Sequence, residues 1–415
     1  MAPKSRVIFD TDPGVDDMLA MLLALASSPE EIELLMISVT YGNVPLKSCL
    51  KNVVSMFHVL DKELEWRRSQ GKPEGFASLR KFKPVVAIGP EHALEEEILM
   101  EDGFHETWKS LFEDGVPTPA QDPSYYSYFT PSKVPSHKEM LRILKEEPAD
   151  TVTICAVGPM TNLALAAAED PETFLRAKEV CVMGGAIEVP GNITPVAEFN
   201  TYADAIATAR VFALTSAVPA STMPVVPQTI AKLPPYPENL SRRLRILLFP
   251  LDITTPHLLN RNFFFDAVTP HVQEGSPLAT WINTIMGGVF RQIERSYGDD
   301  PEPGLSLHDP LTVWYNITRD DPAWKLARSE AEDIRIETSG QWTHGMHVAD
   351  SRGRKRAPGA GSAIGVTTDG QVAIDEIPGD DFGWLSAKRG NRIHRWAQSP
   401  GFDKFAPDLM QRLFG

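Results

Sequence analysis

The stretch Val7-Ile8-Phe9-Asp10-Thr11-Asp12-Pro13-Gly14-Val15-Asp16-Asp17 decides how this chain folds and what it binds. Its apolar start predicts a buried strand, and the apolar residues 18–26 that follow predict a helix. Between them lie four carboxylates, which repel one another unless a hard cation such as Ca²⁺ or Mg²⁺ binds their oxygens. A strand-to-helix loop at the carboxyl edge of a sheet is also where α/β proteins bind ligands. The alternative is a solvated acidic loop in which an Asp caps the helix.

The composition limits the possible classes of protein. The chain has 415 residues, enough for one large domain or two smaller ones, and its net charge of −15 argues against a broad nucleic-acid surface. Cys49, Cys155 and Cys181 are widely spaced in apolar surroundings, so we expect buried thiols in a reducing compartment. The residues before the first strand contain no apolar signal region, and no apolar run is long enough to span a bilayer. We therefore expect a cytoplasmic protein with no membrane partner.

Strand-like and helix-like segments alternate along the first half of the chain. This alternation predicts an α/β fold with an open, mostly parallel twisted sheet flanked by helices, followed by a mixed C-terminal portion. The strands expected after the first are residues 32–40, 83–89, 151–157, 180–184 and 217–223, with short pieces at 333–338 and 371–374. The expected helices include residues 46–60, 138–147, 160–168, 204–214, 280–297, 305–317 and 408–414. We predict a single domain, 1–415, with surface insertions at about residues 61–82, 106–135 and 227–243.

Polar groups follow two of the early strands. Asn43 follows the second strand, and the backbone carbonyl of Val157 ends a central strand just before Gly158-Pro159. An amide can both donate and accept toward a ligand, and a backbone carbonyl is an acceptable Ca²⁺ ligand. An ordinary turn is the alternative interpretation at both places.

Two later segments carry further candidates. Met183-Gly184-Gly185 is followed by Asn192, Glu198 and Asn200, whose side chains suit sugar hydroxyls, although a loop with helix caps has the same composition. His308-Asp309 then pairs an imidazole with a carboxylate at the start of a helix. His is the side chain most able to donate a proton near neutral pH, whereas Asp-Pro is also a common helix start.

In this order, the motifs resemble the inosine-uridine-preferring nucleoside hydrolase family over residues 7 to about 314. They are Asp10-x-Asp12-Pro13-Gly14-x-Asp16-Asp17, Met183-Gly184-Gly185, Glu198-Phe199-Asn200, Leu251-Asp252-Ile253-Thr254 and His308-Asp309-Pro310. The resemblance implies an open α/β fold, one Ca²⁺ per subunit, a small-molecule ribonucleoside substrate and commonly a homo-oligomer. It also implies hydrolysis of the N-glycosidic bond to free base and ribose, by inverting attack of a metal-bound water through an oxocarbenium-like transition state.

The resemblance further implies a role for each candidate residue. The Ca²⁺ ligands would be the side chains of Asp12, Asp17 and Asp309 and the backbone oxygen of Val157, with Asp10 supporting the metal site from behind. Asp12 would also be the general base. His308 would contact the substrate and protonate the leaving base, and Asn43 would lie close to the ribose and the attacking water. The other ribose-binding residues would be Asp16, Asn192, Glu198 and Asn200.

Two departures and two alternatives qualify this resemblance. The segment Leu99-Met100-Glu101-Asp102-Gly103 lacks the His usual after the third strand, and the usual Asp-Pro-Glu-Ala stretch reads Asp204-Ala205-Ile206-Ala207. One alternative is a haloacid-dehalogenase-like Mg²⁺ phosphatase with Asp10 as nucleophile, because its nucleophile loop also follows a strand with Asp-x-Asp. The other is a non-catalytic nucleoside-binding protein.

Overall fold

A twisted sheet forms the centre of the protein in this computed structural model, which describes residues 4–94, 127–225, 233–297, 303–353, 379–386 and 388–415. In chain order the described strands are β1 (Ser5–Thr11), β2 (Ile32–Val39), β3 (Val85–Ile88), β4 (Thr130–Pro131), β5 (Val152–Ala156), β6 (Glu179–Met183), β7 (Ile246–Phe249), β8 (Leu258–Asn260), β9 (Gly304–Ser306), β10 (Lys325–Leu326), β11 (Ile334–Ile336), β12 (His347–Ala349) and β13 (Ile393–Gln398). The main sheet has the order β10-β13-β7-β6-β5-β1-β2-β3-β4, and the pairs β8–β9 and β11–β12 form two small antiparallel sheets.

Helices cover both faces of this sheet. They are α1 (Val15–Ala26), α2 (Leu46–Ser69), α3 (Ala77–Lys81), α4 (Ser136–Glu146), α5 (Thr161–Glu169), α6 (Pro171–Phe174), α7 (Phe199–Ala203), α8 (Ala205–Ala213), α9 (Leu251–Thr254), α10 (Arg261–Gln273), α11 (Pro277–Tyr297), α12 (His308–Thr318) and α13 (Phe402–Phe414). Every residue of β5, β6 and β7 is buried, as expected for parallel strands covered on both faces. All pairs in the main sheet are parallel except β10–β13, so the predicted fold class is confirmed.

The strand order reverses at β1, which is the most informative point of the topology. β1 pairs with β2 on one side and with β5 on the other, and both pairs are parallel. The register places Asp10 opposite Ser38 of β2 and Ala156 of β5. Doubly wound sheets open a crevice at the carboxyl ends of the strands where the order reverses. The residues that follow β1 and β5, among them Asp12 and Val157, therefore lie at the natural ligand-binding edge.

Helix α1 explains how the distant end of the chain reaches this edge. Its sequence is apolar almost throughout, and nearly all of its residues are buried, so it needs protein on every side. The helix packs against α12, which begins with His308 and Asp309. The first turns of the two helices thus bring the N-terminal acidic motif and the late His-Asp pair together.

Several boundaries differ from the sequence-based expectations. The helix expected at residues 46–60 continues to Ser69, so the first part of the insertion predicted at 61–82 is regular helix. A buried ion pair between Glu63 and Arg67 explains why charged residues belong to this helix (N–O 2.6 Å, side chains 1% and 7% exposed). The strand expected at 217–223 is wrong: this segment contains a 3₁₀ turn at Pro219–Ser221, because proline cannot donate to a strand ladder. Strand β7, which was not predicted, takes the next place in the sheet.

The other predicted insertions lie partly outside the described residues. Of 106–135, the described part includes β4 at the sheet edge, and of 227–243, residues 233–243 contain no helix or strand. The short strand expected at 371–374 lies outside the described residues, and the single-domain organisation stays a prediction. In the described part of the chain, no helix combines the length and the apolar composition that a membrane span requires.

Candidate active site

Asp12 is fully buried directly after β1, and one of its oxygens lacks a partner. Its Oδ2 accepts a hydrogen bond from the backbone N–H of Asn43 (2.7 Å), while Oδ1 has no hydrogen-bond partner among the described residues. Two glycines make room for the carboxylate: a Cβ at Gly42 would lie 2.0 Å from Oδ2, and one at Gly158 would lie 2.6 Å from Oδ1. A buried carboxylate oxygen without a partner is costly, so this geometry favours a ligand beside Asp12.

A cluster of three further carboxylates lies next to Asp12. Oxygens of Asp16, Asp17 and Asp309 lie within 4.8 Å of one another, close enough to hold one metal ion. Asn43 joins this cluster to Asp12, because its Nδ2 donates to Asp17 Oδ2 (3.0 Å) and to the Asp12 carbonyl (3.1 Å). Thr11 and the Gly14 backbone N–H also donate to Asp17. The structure thus brings Asp309 to Asp16 and Asp17 of the N-terminal motif, whereas the predicted ligand set of Asp12, Asp17 and Asp309 stays a prediction.

The pKa values of these four carboxyl groups are all raised, which also favours a bound cation. Burial raises the pKa of Asp16 to about 7, with the neighbouring Asp17 charge adding to the effect. Burial also raises the pKa values of Asp12, Asp17 and Asp309, and neighbouring carboxylates raise those of Asp12 and Asp309 further. A bound divalent ion reverses both causes, because it replaces lost solvation and cancels the repulsion. The donor set, made of carboxylates with a backbone carbonyl nearby, fits a hard cation such as Ca²⁺.

Asp10 lies behind this cluster within the sheet. Its Oδ2 accepts hydrogen bonds from Ser38 Oγ and from Asn162 Nδ2 (2.9 Å), and burial raises its pKa to about 7. Asn162 also donates to Ser38 Oγ (3.1 Å), so one amide ties β1 and β2 to the start of α5. The role of Asp10 in supporting a metal site stays a prediction. Sequence analysis gave Asn162 no role, since an Asn after Gly-Pro also fits a simple turn.

Three of the residues expected to bind ribose, Asn192, Glu198 and Asn200, follow strand β6. Asn200 Nδ2 donates to the Val157 carbonyl (2.8 Å), so this amide touches the predicted backbone ligand. Glu198 is 1% exposed and caps α7; its Oε2 accepts from the Gly185 N–H (2.9 Å) and its Oε1 from the Asn200 N–H (2.7 Å). Asn192 is exposed, and its Oδ1 accepts from the Phe199 N–H (2.9 Å). The helix-capping alternative therefore describes Glu198 correctly, and capping leaves Oε1 able to accept a second hydrogen bond.

His308 begins α12 beside Asp309. Its Nδ1 lies 2.7 Å from Thr254 Oγ1, which engages this nitrogen and leaves Nε2 available to a substrate. Burial lowers the pKa of His308 to about 4, with the nearby His257 contributing to the shift. The ring is therefore neutral at pH 7. Thr254 belongs to the motif Leu251-Asp252-Ile253-Thr254, but no sequence signal indicated its contact with His308.

Comparisons with known proteins show which family this chain belongs to. A family model described as inosine-uridine preferring nucleoside hydrolase matches residues 7–373. An uncharacterized protein of Schizosaccharomyces pombe is 31% identical over 357 residues, covering 83% of this chain and 89% of the relative. The pyrimidine-specific ribonucleoside hydrolase RihA of Salmonella newport is 27% identical over 349 residues, covering 83% of this chain and 88% of the relative.

Solved structures agree on the fold. A plant nucleoside hydrolase, the PpNRh1 enzyme, superposes with a TM-score of 0.67 at 19% identity, covering 99% of both chains. The purine-preferring ribonucleoside hydrolase from Gardnerella vaginalis superposes with a TM-score of 0.65 at 19% identity, covering 99% of this chain and 98% of that one. At these identities the superpositions establish a shared architecture and nothing finer.

Proposed function

The chain belongs to the inosine-uridine preferring nucleoside hydrolase family, and on that basis we propose that it hydrolyses the N-glycosidic bond of ribonucleosides with the help of Ca²⁺. The family makes it a hydrolase that acts on N-glycosyl compounds, which sets aside both the phosphatase and the non-catalytic alternatives. The observation that carries the proposal is the buried acidic cluster of Asp16, Asp17 and Asp309 beside the unpartnered oxygen of Asp12.

We assign the metal to one side of this cluster and the ribose to the other. The proposed Ca²⁺ ligands are Asp12, Asp17, Asp309 and the Val157 carbonyl, and the proposed ribose contacts are Asp16, Asn43, Asn192, Glu198 and Asn200. When bound, Ca²⁺ orients hydroxyl groups and water and lowers the pKa of that water. An oxygen of Asp16 lies within 4.8 Å of oxygens of Asp17 and Asp309. A ribose hydroxyl bound by Asp16 would therefore lie close to the proposed ion.

The chain's own groups supply the remaining chemistry. Asp12 accepts the proton of the attacking water, since its unpartnered Oδ1 is free to do so and the backbone N–H of Asn43 holds Oδ2. Positive charge grows on C1′ and the ring oxygen as the bond breaks, and the surrounding carboxylates stabilise it. Direct attack by water inverts the anomeric centre. His308 donates a hydrogen bond from Nε2 to the departing base, with Thr254 fixing the ring.

The test is a panel of inosine, uridine, cytidine, adenosine and nicotinamide riboside, each with Ca²⁺ or with a chelator. We expect base release from at least one nucleoside that depends on the cation. The printed names of the relatives differ between pyrimidine and purine preference, so both kinds of base belong in the panel. A folded protein that releases no base under any condition would refute the proposal. A cytoplasmic location and a homo-oligomeric state belong to the proposal as well, and light scattering after size exclusion tests the latter.

Gly42→Ala is expected to reduce activity while leaving the fold intact. The new Cβ would lie 2.0 Å from Asp12 Oδ2, so the carboxylate must move away from the Asn43 N–H. Because displacements of about 1 Å can cost about 10²-fold in rate, we expect a loss of that order in kcat/KM. Gly287→Ala is the matched control, since its Cβ would meet only the flexible end of Arg291 at 3.4 Å. Equal kcat/KM values for the two variants contradict the placement of Asp12.

His308→Ala is expected to slow natural nucleosides more than activated ones. Loss of one preorganised hydrogen-bond donor to developing charge costs roughly 10²–10³-fold, so turnover of inosine or uridine falls by about 10²-fold or more. p-Nitrophenyl riboside needs little help to its leaving group and loses less than about threefold. His137→Ala is the control, because His137 pairs with Glu169 on the surface of α4. An equal loss on both classes of substrate would remove His308 as the leaving-group donor.

A further inference from the structure

Arg395 on β13 is a buried cation surrounded by three carboxylates. Its side chain is 5% exposed, and its guanidinium contacts Glu188 (2.9 Å), Glu332 (3.1 Å) and Asp252 (3.4 Å). Strand β13 holds this side chain in place, because Arg395 is paired in register with Leu248 of β7. The residue lies beyond position 373, where the family match ends.

Two of these three carboxylates are connected to the loop that follows β6. Glu188 is part of the loop, and Asp252 binds its backbone. Asp252 accepts hydrogen bonds from the backbone N–H groups of Ile187 (3.0 Å) and Glu188 (2.8 Å). The Leu251 N–H donates to the Gly185 carbonyl (2.8 Å), so α9 and the loop are joined at three points. The same Gly185 donates its N–H to Glu198. A continuous chain of contacts therefore runs from Arg395 through Asp252 and the loop backbone to Glu198.

The charges explain why this arrangement depends on Arg395. Asp252 and Glu332 are 12% and 9% exposed, so without the guanidinium these largely shielded carboxylates repel each other and the nearby Glu188. The exposed Arg328 still pairs with Glu332 (3.1 Å), so the uncompensated charge falls mainly on Asp252. Glu188 is 71% exposed and can relieve the repulsion by turning into water, which frees this end of the loop. The planar fork of Arg reaches several carboxylates at once, which a Lys ammonium cannot do in the same geometry.

We propose that Arg395 is a positioning residue that fixes the loop from Gly185 to Asn192 against α9 so that the loop's polar groups meet the ribose. The inference rests on the proposed function for its substrate, but the contacts of Arg395 stand independently of it. A merely structural role would lower the stability of the protein without changing substrate affinity.

The test compares Arg395→Met with Arg412→Met. Arg412 on α13 also pairs with two carboxylates, those of Glu31 (2.9 Å) and Asp408 (3.0 Å); it is half-buried, and none of its described ion pairs involves the loop. We expect Arg395→Met to raise KM about tenfold with less than a threefold change in kcat, and Arg395→Lys to fall between it and the natural protein. Arg412→Met lowers the melting temperature and leaves KM unchanged.

Hydrogen exchange supplies a second measurement that needs no substrate. The amides of Ile187 and Glu188 donate to Asp252, so we expect them to exchange about tenfold faster in Arg395→Met than in Arg412→Met. Glu188→Gln changes an exposed side chain, so this variant folds even if Arg395→Met does not. We expect it to raise KM about threefold. Unchanged KM and unchanged exchange in Glu188→Gln and in any folded Arg395 variant overturn the proposal. If the natural protein cleaves no nucleoside, the proposed function fails, and the exchange rates still decide the positioning role.

Discussion

Asp12→Asn is expected to lower kcat by about 10³-fold or more for every nucleoside that the natural protein cleaves. The amide keeps the shape of the carboxylate and can still accept the hydrogen bond from Asn43, so the loop after β1 keeps its conformation. What disappears is the negative charge that, in the proposed mechanism, accepts the water proton and binds the cation. Because both roles meet in one group, the loss exceeds the effect of either alone.

The measurement separates these two roles by using saturating Ca²⁺. Single-turnover rates at several Ca²⁺ concentrations show whether weaker cation binding accounts for the loss. Asp170→Asn is the control, since Asp170 caps α6 by accepting from the Thr173 N–H and lies in another part of the fold. A kcat within about tenfold of the natural value at saturating Ca²⁺ would show that Asp12 is not the base.

Removal of the cation is expected to abolish turnover and to destabilise the protein more at pH 8 than at pH 5.5. The folded pKa values of Asp10 and Asp16 are raised to about 7, whereas an ordinary Asp ionises near pH 4. When folding raises the pKa of a carboxyl group, the resulting stabilisation is fully present at pH values below the unfolded-state pKa. It is lost as the pH rises through the folded-state pKa. The cation-free protein therefore weakens between about pH 4 and pH 7, and a bound cation compensates for that loss at higher pH.

Thermal unfolding with Ca²⁺, Mg²⁺ or a chelator at the two pH values tests this prediction. A cation at about 1,000 times its dissociation constant stabilises the folded state by about 4 kcal/mol. Burial lowers the pKa values of His257, His308 and His347 to about 4, so these rings destabilise the folded protein as the pH falls below about 6.5. The effect is the same with cation and with chelator, so it cancels when the two melting temperatures are compared. Equal melting temperatures with Ca²⁺ and with chelator at pH 8 contradict a cation site.

The fold and the centre of the site were predictable because they follow from local patterns. Alternating strands and helices predict a parallel sheet, and the acidic motif between β1 and α1 marks its ligand-binding edge. The meeting of Asp309 with Asp16 and Asp17 followed from the order of motifs in a known family. By contrast, β7 is a short, fully buried apolar run that carries no alternation, so its pattern does not distinguish strand from helix.

The supporting residues could not be predicted, for a different physical reason. Thr254, Asn162 and Arg395 act through contacts with residues distant in sequence, and each residue type is common in turns, helices or strands. The continuation of α2 beyond Leu60 was hidden because its charged residues suggest solvent, whereas Glu63 and Arg67 neutralise each other in a buried position. Periodicity and composition describe a residue's own segment and say little about its distant partner.

The contact between the first turns of α1 and α12 also constrains how the protein is made. The Asp309 N–H lies 3.4 Å from Asp16 Oδ2, across 293 positions of sequence. Closing so long a segment is among the slow steps of folding, so a nascent chain that has not yet emerged beyond residue 309 has no high-affinity place for the ion. Under the proposed function, capture of the cation is thus a late event in biogenesis and distinguishes finished molecules from incomplete ones.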